Sequence, residues 1–303
     1  MQIQFVRCSK KLLPKAIEIV DYEFIYSKKR EISISKRFPL FFTANNVKNI
    51  YLALNNDQIV AVTGIKLFTY ILKNQVYSGG MLGCVCTREE YRRKGVASRL
   101  LDEVNKDFVQ KQIDFGMLWA TNHDFYYKHG WRLMDNGLFC DLSFLKNLVT
   151  DINDHDNIKI IRSKNYKIIE DFRIKHSYSC ISRLLDNYNA IPIPAINTEK
   201  LLLYYKGKFK GYIIYGSDLK KNIYIYEICS EKSFYSQILN IILQLDCNRI
   251  YLNTYSADNF RIYMNNSFDL KCKKQDLTMV KIYSESLNID HLKEIYISFL
   301  DRI

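Results

Sequence analysis

Val85-Cys86-Thr87-Arg88-Glu89-Glu90-Tyr91-Arg92-Arg93-Lys94-Gly95-Val96-Ala97 carries the strongest signal in this chain. The stretch leaves an apolar, strand-like run at 81–87 and passes through a charged loop. It then enters a helical pattern in which Val96, Leu100, Leu101, Val104 and Phe108 share one face. Arg92-x-x-Gly95-x-Ala97 sits where strand gives way to helix. The first N–H groups of a helix lack intrahelical partners, and the helix dipole adds partial positive charge there. Such a junction can cradle a phosphate or pyrophosphate. Gly95 permits close backbone approach, and Ala97 keeps a large side chain from standing over the anion. The spacing fits neither the G-x-x-x-x-G-K-[ST] loop nor the three-glycine dinucleotide pattern.

A second motif, Thr121-Asn122-His123-Asp124-Phe125-Tyr126-Tyr127-Lys128-His129-Gly130-Trp131, follows another strand-like run at 116–120. Taken alone, a tyrosine beside Phe125 fits a core aromatic as well as a catalyst. Together the two motifs resemble the pyrophosphate loop, and the short helix after the fifth strand, of the GNAT superfamily of N-acetyltransferases. That resemblance implies an α/β (α+β) fold with a mixed, mostly antiparallel central sheet flanked by helices. It also implies acetyl-CoA as acyl donor, an amine acceptor and no metal. By the same resemblance the backbone of Val85, Cys86 and Thr87 pairs with the pantetheine arm. The segment Arg92, Arg93, Lys94, Gly95, Val96, Ala97 and Ser98 holds the pyrophosphate. Tyr126, four residues before Gly130, is the general acid that protonates the leaving thiolate, and Gly130 is a left-handed cap. Asp21 and Glu23 fall in the helical region that borders the acceptor site in that fold and are the expected substrate-side residues. Glu31, His123 and Asp124 are further candidates for the base.

Read outward from the motifs, 2–8 is a strand, 12–26 a helix and 31–47 an irregular helical region broken near Pro39. Strands follow at 50–54 and 58–72, joined by an Asn-Asn-Asp turn in a hairpin signal. A polar stretch, 146–157, reads as a linker. Beyond it the same order recurs: a strand at 158–161, helix at 164–188, a hairpin through Lys206-Gly207-Lys208, a strand at 222–229 and a helix at 234–245. A strand at 249–254, a short helix at 258–266 and a strand at 277–282 complete it. The expectation is two tandem GNAT-like domains: a catalytic one at 1–147, a linker at 148–157 and a degenerate copy at 158–303. The second copy runs Ile228-Cys229-Ser230-Glu231-Lys232-Ser233-Phe234 where the phosphate loop should be, and Ser267 stands where the first copy has Gly130. Tandem architecture with a loop of this type resembles the enhanced intracellular survival type of acetyltransferase, here expected without its C-terminal sterol-carrier-like domain.

Composition bounds the alternatives. The 303 residues suit two domains, and 48% apolar with 25% charged residues describes an ordinary globular chain. No run approaches the ~20 apolar residues of a membrane-spanning helix, and the N-terminus lacks a signal-peptide layout, so a cytoplasmic location without membrane partners is the default. Eight cysteines form no CxxC pair and no Cys/His cluster, which argues against zinc and against a disulfide framework. The net charge of +12 invites nucleic acid. However, Arg88, Arg92, Arg93, Lys94 and Arg99 gather around the proposed phosphate loop, and a nucleotide cofactor accounts for that cluster more economically. Two rival classes stay open at this level: a catalytically inactive CoA-binding regulatory or scaffold protein, and a nucleic-acid binder using the basic first half. A homo-oligomer is also compatible, because exposed sheet edges pair readily.

Overall fold

The computed structural model describes residues 2–147, 158–162, 165–189, 197–285, 287–292 and 294–302; the linker expected at 148–157 lies outside them. Strands β1 (Ile3–Arg7), β2 (Ile50–Asn55), β3 (Gln58–Leu72), β4 (Gln75–Thr87) and β5 (Phe115–Trp119) build most of a first sheet. All of their pairings are antiparallel except β4 with β5. Helix α1 (Leu13–Phe24), with Pro14 in its first turn, covers one face, and α3 (Val96–Gln110) covers the other.

The period of two explains why β2 is apolar throughout. Ile50 and Leu52 point to the α1 side with Ala16, Ile19 and Val20, while Tyr51 and Ala53 point to the α3 side. A strand covered on both faces has no solvent side to keep polar. The apolar face read for α3 is its buried face: Val96, Leu100, Leu101, Val104 and Phe108 are all at most 3% exposed. Phe108 lies against the β4–β5 rung at Gly80 and Gly116. A Cβ at Gly80 would come within 2.2 Å of its ring, so the glycine is what lets helix and sheet close together.

Two short elements, α2 (Ile34–Arg37) and a 3-10 turn at Val47–Asn49, replace the helical region expected across 31–47. After β5 come α4 (His123–Tyr127), β6 (Arg132–Leu133) and β7 (Gly137–Asp141). The second half supplies β8 (Ile158–Arg162), α5 (Tyr166–His176), β9 (Ser179–Ser182), β10 (Asn197–Tyr205), β11 (Lys208–Ser217) and β12 (Ile223–Ser230). It continues with α6 (Tyr235–Leu243), β13 (Ile250–Tyr255), α7 (Asn259–Phe268), β14 (Cys272–Lys274), β15 (Thr278–Ile282) and α8 (Ile289–Leu292).

The sheets do not respect the boundary drawn from the sequence. The first has the order β1-β2-β3-β4-β5-β15-β6, with β9 added to the far half of β3. The second has the order β14-β7-β13-β12-β11-β10-β8. Strand β15, from the far end of the chain, is therefore inserted between β5 and β6. Strand β7, from the first half, lies between β13 and β14. A strand's sequence pattern reports its own burial, not which sheet it joins, so the exchange leaves no trace in periodicity. Segment 164–188, read as helical, likewise splits into α5 and the strand β9. Cys140 and Cys272 stand directly opposite on β7 and β14 and form a disulfide, which corrects the expectation of no such bond. Their separation of 132 residues hid the pairing.

Candidate active site

Strands β4 and β5 run parallel through only three rungs, Gly79 with Phe115, Gly80 with Gly116 and Met81 with Met117, and then part. On its outer side β5 is held by β15, and the Ala120 N–H donates to the Leu277 carbonyl at 3.0 Å. The gap left between the strands is the floor of a cleft of about 1120 Å³. Register in the β3–β4 hairpin slips between Val62 opposite Cys86 and Gly64 opposite Gly83, so Cys84 and Val85 together face Thr63. Cys84 takes a left-handed φ of 55°, and the Thr63 hydroxyl donates to the Gly83 carbonyl at 3.0 Å. A bulge of this kind re-aims the backbone. Here it turns Cys84 and Val85 to the open side, where an extended ligand can pair with them as an added strand.

The loop after β4 is held at both ends. Arg88 Nε donates to the Ile59 carbonyl at 2.9 Å, and Arg92 Nε donates to the Thr87 carbonyl at 3.0 Å. Arg93 (φ 59°) and Gly95 (φ 75°) are both left-handed, which curls the intervening amides into a concave turn. No side chain caps α3, whose first turn closes from the Arg99 N–H to the Gly95 carbonyl at 3.1 Å. The amides of Val96, Ala97 and Ser98 therefore have no intrahelical partner and face the cleft end with the positive pole of the helix. A Cβ at Gly95 would meet nothing within 4 Å, so the space beside these amides is open.

Tyr126 reaches the same cleft from α4. Its ring packs edge-on against Phe125 at 4.9 Å, and its carbonyl accepts the Trp131 N–H at 3.2 Å just after Gly130 (φ 83°). His123 turns Nε2 to the Ala120 carbonyl at 2.9 Å, tying α4 to the end of β5. Burial, with the Cys84 thiol close by as a second cause, pushes the Tyr126 phenol up to about 12. Burial likewise raises Cys84 well above an ordinary thiol. Both groups therefore stay protonated at neutral pH, as neutral donors at the deep end of the cleft.

Of the residues singled out in the sequence, Val85, Thr87, Arg92, Arg93, Gly95, Val96, Ala97, Ser98 and Tyr126 line this one cleft. Cys86 points away into the α1 core, where burial pushes its thiol up to about 12. Lys94 is exposed, with Nζ 5.5 Å above the Tyr91 ring. The guanidinium of Arg92 is engaged by Glu23 at 2.6 Å, so its observed work is to fix the loop against α1. Glu23 lines a separate groove of about 380 Å³ together with Tyr22, Tyr26 and Glu90. Asp21 is buried and accepts the Ser33 hydroxyl and the Ile34 N–H, each at 2.6 Å. That geometry makes it the anchor of α2 and corrects its expected place facing the acceptor. Alternation along the strand reads Cys84 and Cys86 as sharing one buried face, but the bulge brings Cys84 to the cleft; Leu277, which arrives with β15, has no sequence signal.

The second sheet repeats the opening on a smaller scale, with a cavity of about 70 Å³ lined by Glu227 and Ile228 on one strand and Leu252 and Asn253 on the other. Strands β12 and β13 pair in parallel at Ile223 with Ile250, Tyr224 with Tyr251 and Ile225 with Leu252 before diverging. Beyond that point Arg183 forms bonds of 2.6 and 2.9 Å to Glu227 and of 2.8 Å to Asp301, and Tyr212 donates to Glu227 at 2.7 Å. At the loop, Glu231 is paired with Lys210 at 2.7 Å, where the first half has its open turn.

Comparison with known proteins agrees with this geometry. Residues 6–134 match the model of the acetyltransferase (GNAT) domain. No curated protein sequence matches the chain. Among solved structures, a protein of unknown function from Enterococcus faecalis V583, described as a probable N-acyltransferase, superposes with a TM-score of 0.78 at 14% identity. That match covers 94% of this chain and 73% of the other. A GCN5-related N-acetyltransferase from Anabaena variabilis gives 0.76 at 13% identity, over 93% and 73%. Eis1 from Mycobacterium abscessus gives 0.66 at 10%, over 94% and 74%. At such identities the likeness speaks for the fold.

Proposed function

We propose, from the premise that residues 6–134 form a GNAT-type acetyltransferase domain, that the chain moves an acetyl group from acetyl-CoA directly to a primary amine of a small molecule or peptide. One observation carries the reading. The parted β4–β5 edge, the uncapped N-terminus of α3 with its open Gly95, and the Tyr126 hydroxyl all face a single cleft. A CoA thioester is the ligand that needs all three: an extended arm, a pyrophosphate and a sulfur leaving group.

In this reading the backbone of Val85 to Thr87 pairs with the pantetheine arm, and an amide of the bulge polarises the acetyl carbonyl. The amides from Arg93 to Ser98 hold the pyrophosphate. The amine nitrogen attacks the carbonyl carbon, the nitrogen gives up a proton, and the C–S bond breaks as sulfur takes the Tyr126 proton. The amide and CoA result, and the proton shed by nitrogen restores the phenol. With Tyr126 at about 12 and an ordinary thiol at about 8.5, transfer to a fully formed thiolate is uphill. Protonation must therefore accompany C–S cleavage. Asp21 and Glu23 are both engaged, and His123 turns Nε2 to Ala120. Water in the open cleft is an acceptor for the amine proton that needs no side chain as base.

Residues 158–303 make the second, degenerate copy in this proposal, with Glu227 of its parted strand β12 ion-paired to Arg183 and Glu231 standing at its loop. Calorimetric titration with acetyl-CoA tests the whole scheme. One site per chain supports it, two sites would refute the degenerate second copy, and none would refute the cofactor. The rival scaffold reading predicts normal binding with no change in any turnover on Tyr126→Phe.

A further inference from the structure

Two connections between the sheets run side by side. The chain leaves the first sheet from β6 to β7 and returns to it from β14 to β15. Within the second sheet, Cys140 on β7 and Cys272 at the start of β14 are joined where these two strands run side by side. Strand β14 is a short edge strand whose ladder to β7 reaches from 272 to 274 and is followed by the Gln275 N–H donating to the Gly137 carbonyl at 3.1 Å, so the covalent bond reinforces a short hydrogen-bonded edge. Just beyond it, the Leu277 and Thr278 N–H groups donate to the Asp135 carboxylate at 2.8 and 3.0 Å. Asp135 also accepts the Gly137 N–H at 2.7 Å, knotting the two connections together. Leu277 in turn lines the cofactor cleft and accepts the Ala120 N–H. The bond thus lies five residues along the chain from the cleft wall.

The two sulfurs differ in access. Cys140 is fully buried, whereas Cys272 is half-buried and flanked by exposed Lys271, Lys273 and Lys274. Positive charge around a partly accessible sulfur draws in an anionic thiolate and steadies the Cys272 thiolate released in the second exchange.

We propose that Cys140–Cys272 is a thiol–disulfide switch on the cofactor cleft, loosened by a dithiol and restored by its disulfide form; the proposal rests on the cleft being the acetyl-CoA site. A thiolate of the dithiol attacks Cys272 Sγ, the protein S–S bond breaks, and Cys140 leaves as a thiolate that takes a proton. The reductant's second thiolate then attacks its own sulfur in the mixed disulfide and releases Cys272. The dithiol supplies both electrons and ends as a disulfide. With the bond broken, β14 keeps only its short ladder to β7 and the Asp135 contacts, so the segment carrying Leu277 is held less firmly against the cleft wall.

The test is an acetyl-CoA titration of full-length protein before and after treatment with dithiothreitol, with iodoacetamide labelling read by intact mass. Reduction should expose two additional alkylatable thiols and weaken acetyl-CoA binding about fivefold or more. Oxidised dithiothreitol should restore it. Cys272→Ser, which keeps the buried Cys140, should bind like the reduced protein and ignore the reductant. No extra thiols on reduction, equal affinity in both forms, or a Cys272→Ser protein with the oxidised affinity would each overturn the switch. An absence of binding in every form would overturn the acetyl-CoA reading along with it.

Discussion

Substitution at Gly95 separates backbone strain from electrostatics in one series. Gly95 has φ 75°, and an added Cβ would find open space. Gly95→Ala therefore carries only the left-handed strain of an L-residue, about 1–2 kcal/mol, seen as a fall of a few degrees in the thermal midpoint. Gly95→Glu carries the same strain and adds a negative charge to the open side of the turn. A carboxylate about 5 Å from one phosphate charge costs roughly 3 kcal/mol at an effective dielectric near 20. At about 1.4 kcal/mol per tenfold, that weakens acetyl-CoA binding by on the order of a hundredfold. Gly95→Gln supplies the bulk without the charge. Calorimetry at fixed ionic strength should rank affinities wild type, Ala, Gln, Glu, with the step from Gln to Glu shrinking as salt rises. All three variants should unfold at similar temperatures. Equal affinities for the Gln and Glu variants would refute an anion at the N-terminus of α3, and with it the placement of the pyrophosphate.

Tyr126→Phe should lower kcat by roughly a hundredfold or more while leaving acetyl-CoA affinity near wild type, as steady-state kinetics beside calorimetry would show. Because Tyr126 titrates only near 12, any alkaline fall in wild-type rate below pH 10 should persist in a residual Tyr126→Phe activity. Arg183→Met leaves Glu227 and Asp301 buried without their cation. Urea unfolding at pH 7 should show a loss of about 3–5 kcal/mol. Burial alone would raise the Glu227 carboxyl, but Arg183 and Arg173 outweigh it and hold it down to about 2. Its contribution is therefore present above the unfolded carboxylate range near 4.5 and lost as pH falls towards 2. Glu227→Gln should flatten that part of the acid profile.

What the sequence made legible were features written locally. The α3 stripe from Val96 to Phe108, the Lys206-Gly207 hairpin turn and the Arg92-x-x-Gly95-x-Ala97 junction each depend on residues within one or two turns of each other, and each appears as read. Partnership across the chain was not legible. Nothing in Thr278–Ile282 says that it pairs with Phe115–Trp119, and nothing in the spacing of Cys140 and Cys272 says that they meet. The site failed at the same level. Asp21 and Glu23 have the right residue type on the right helix, but the partners that engage them, Ile34 and Arg92, are set by packing.

The insertion of β15 between β5 and β6 also constrains how the molecule can come into being. A nascent chain that has emerged only as far as residue 147 holds β5 and β6 with nothing between them. It must keep a bare strand edge waiting while more than a hundred further residues are synthesised. The first half therefore cannot finish folding first and acquire its companion afterwards. Separate expression of 1–147 should give aggregates, and co-expression of the second half should rescue it. The two halves form one cooperative folding unit whose earlier part is completed last.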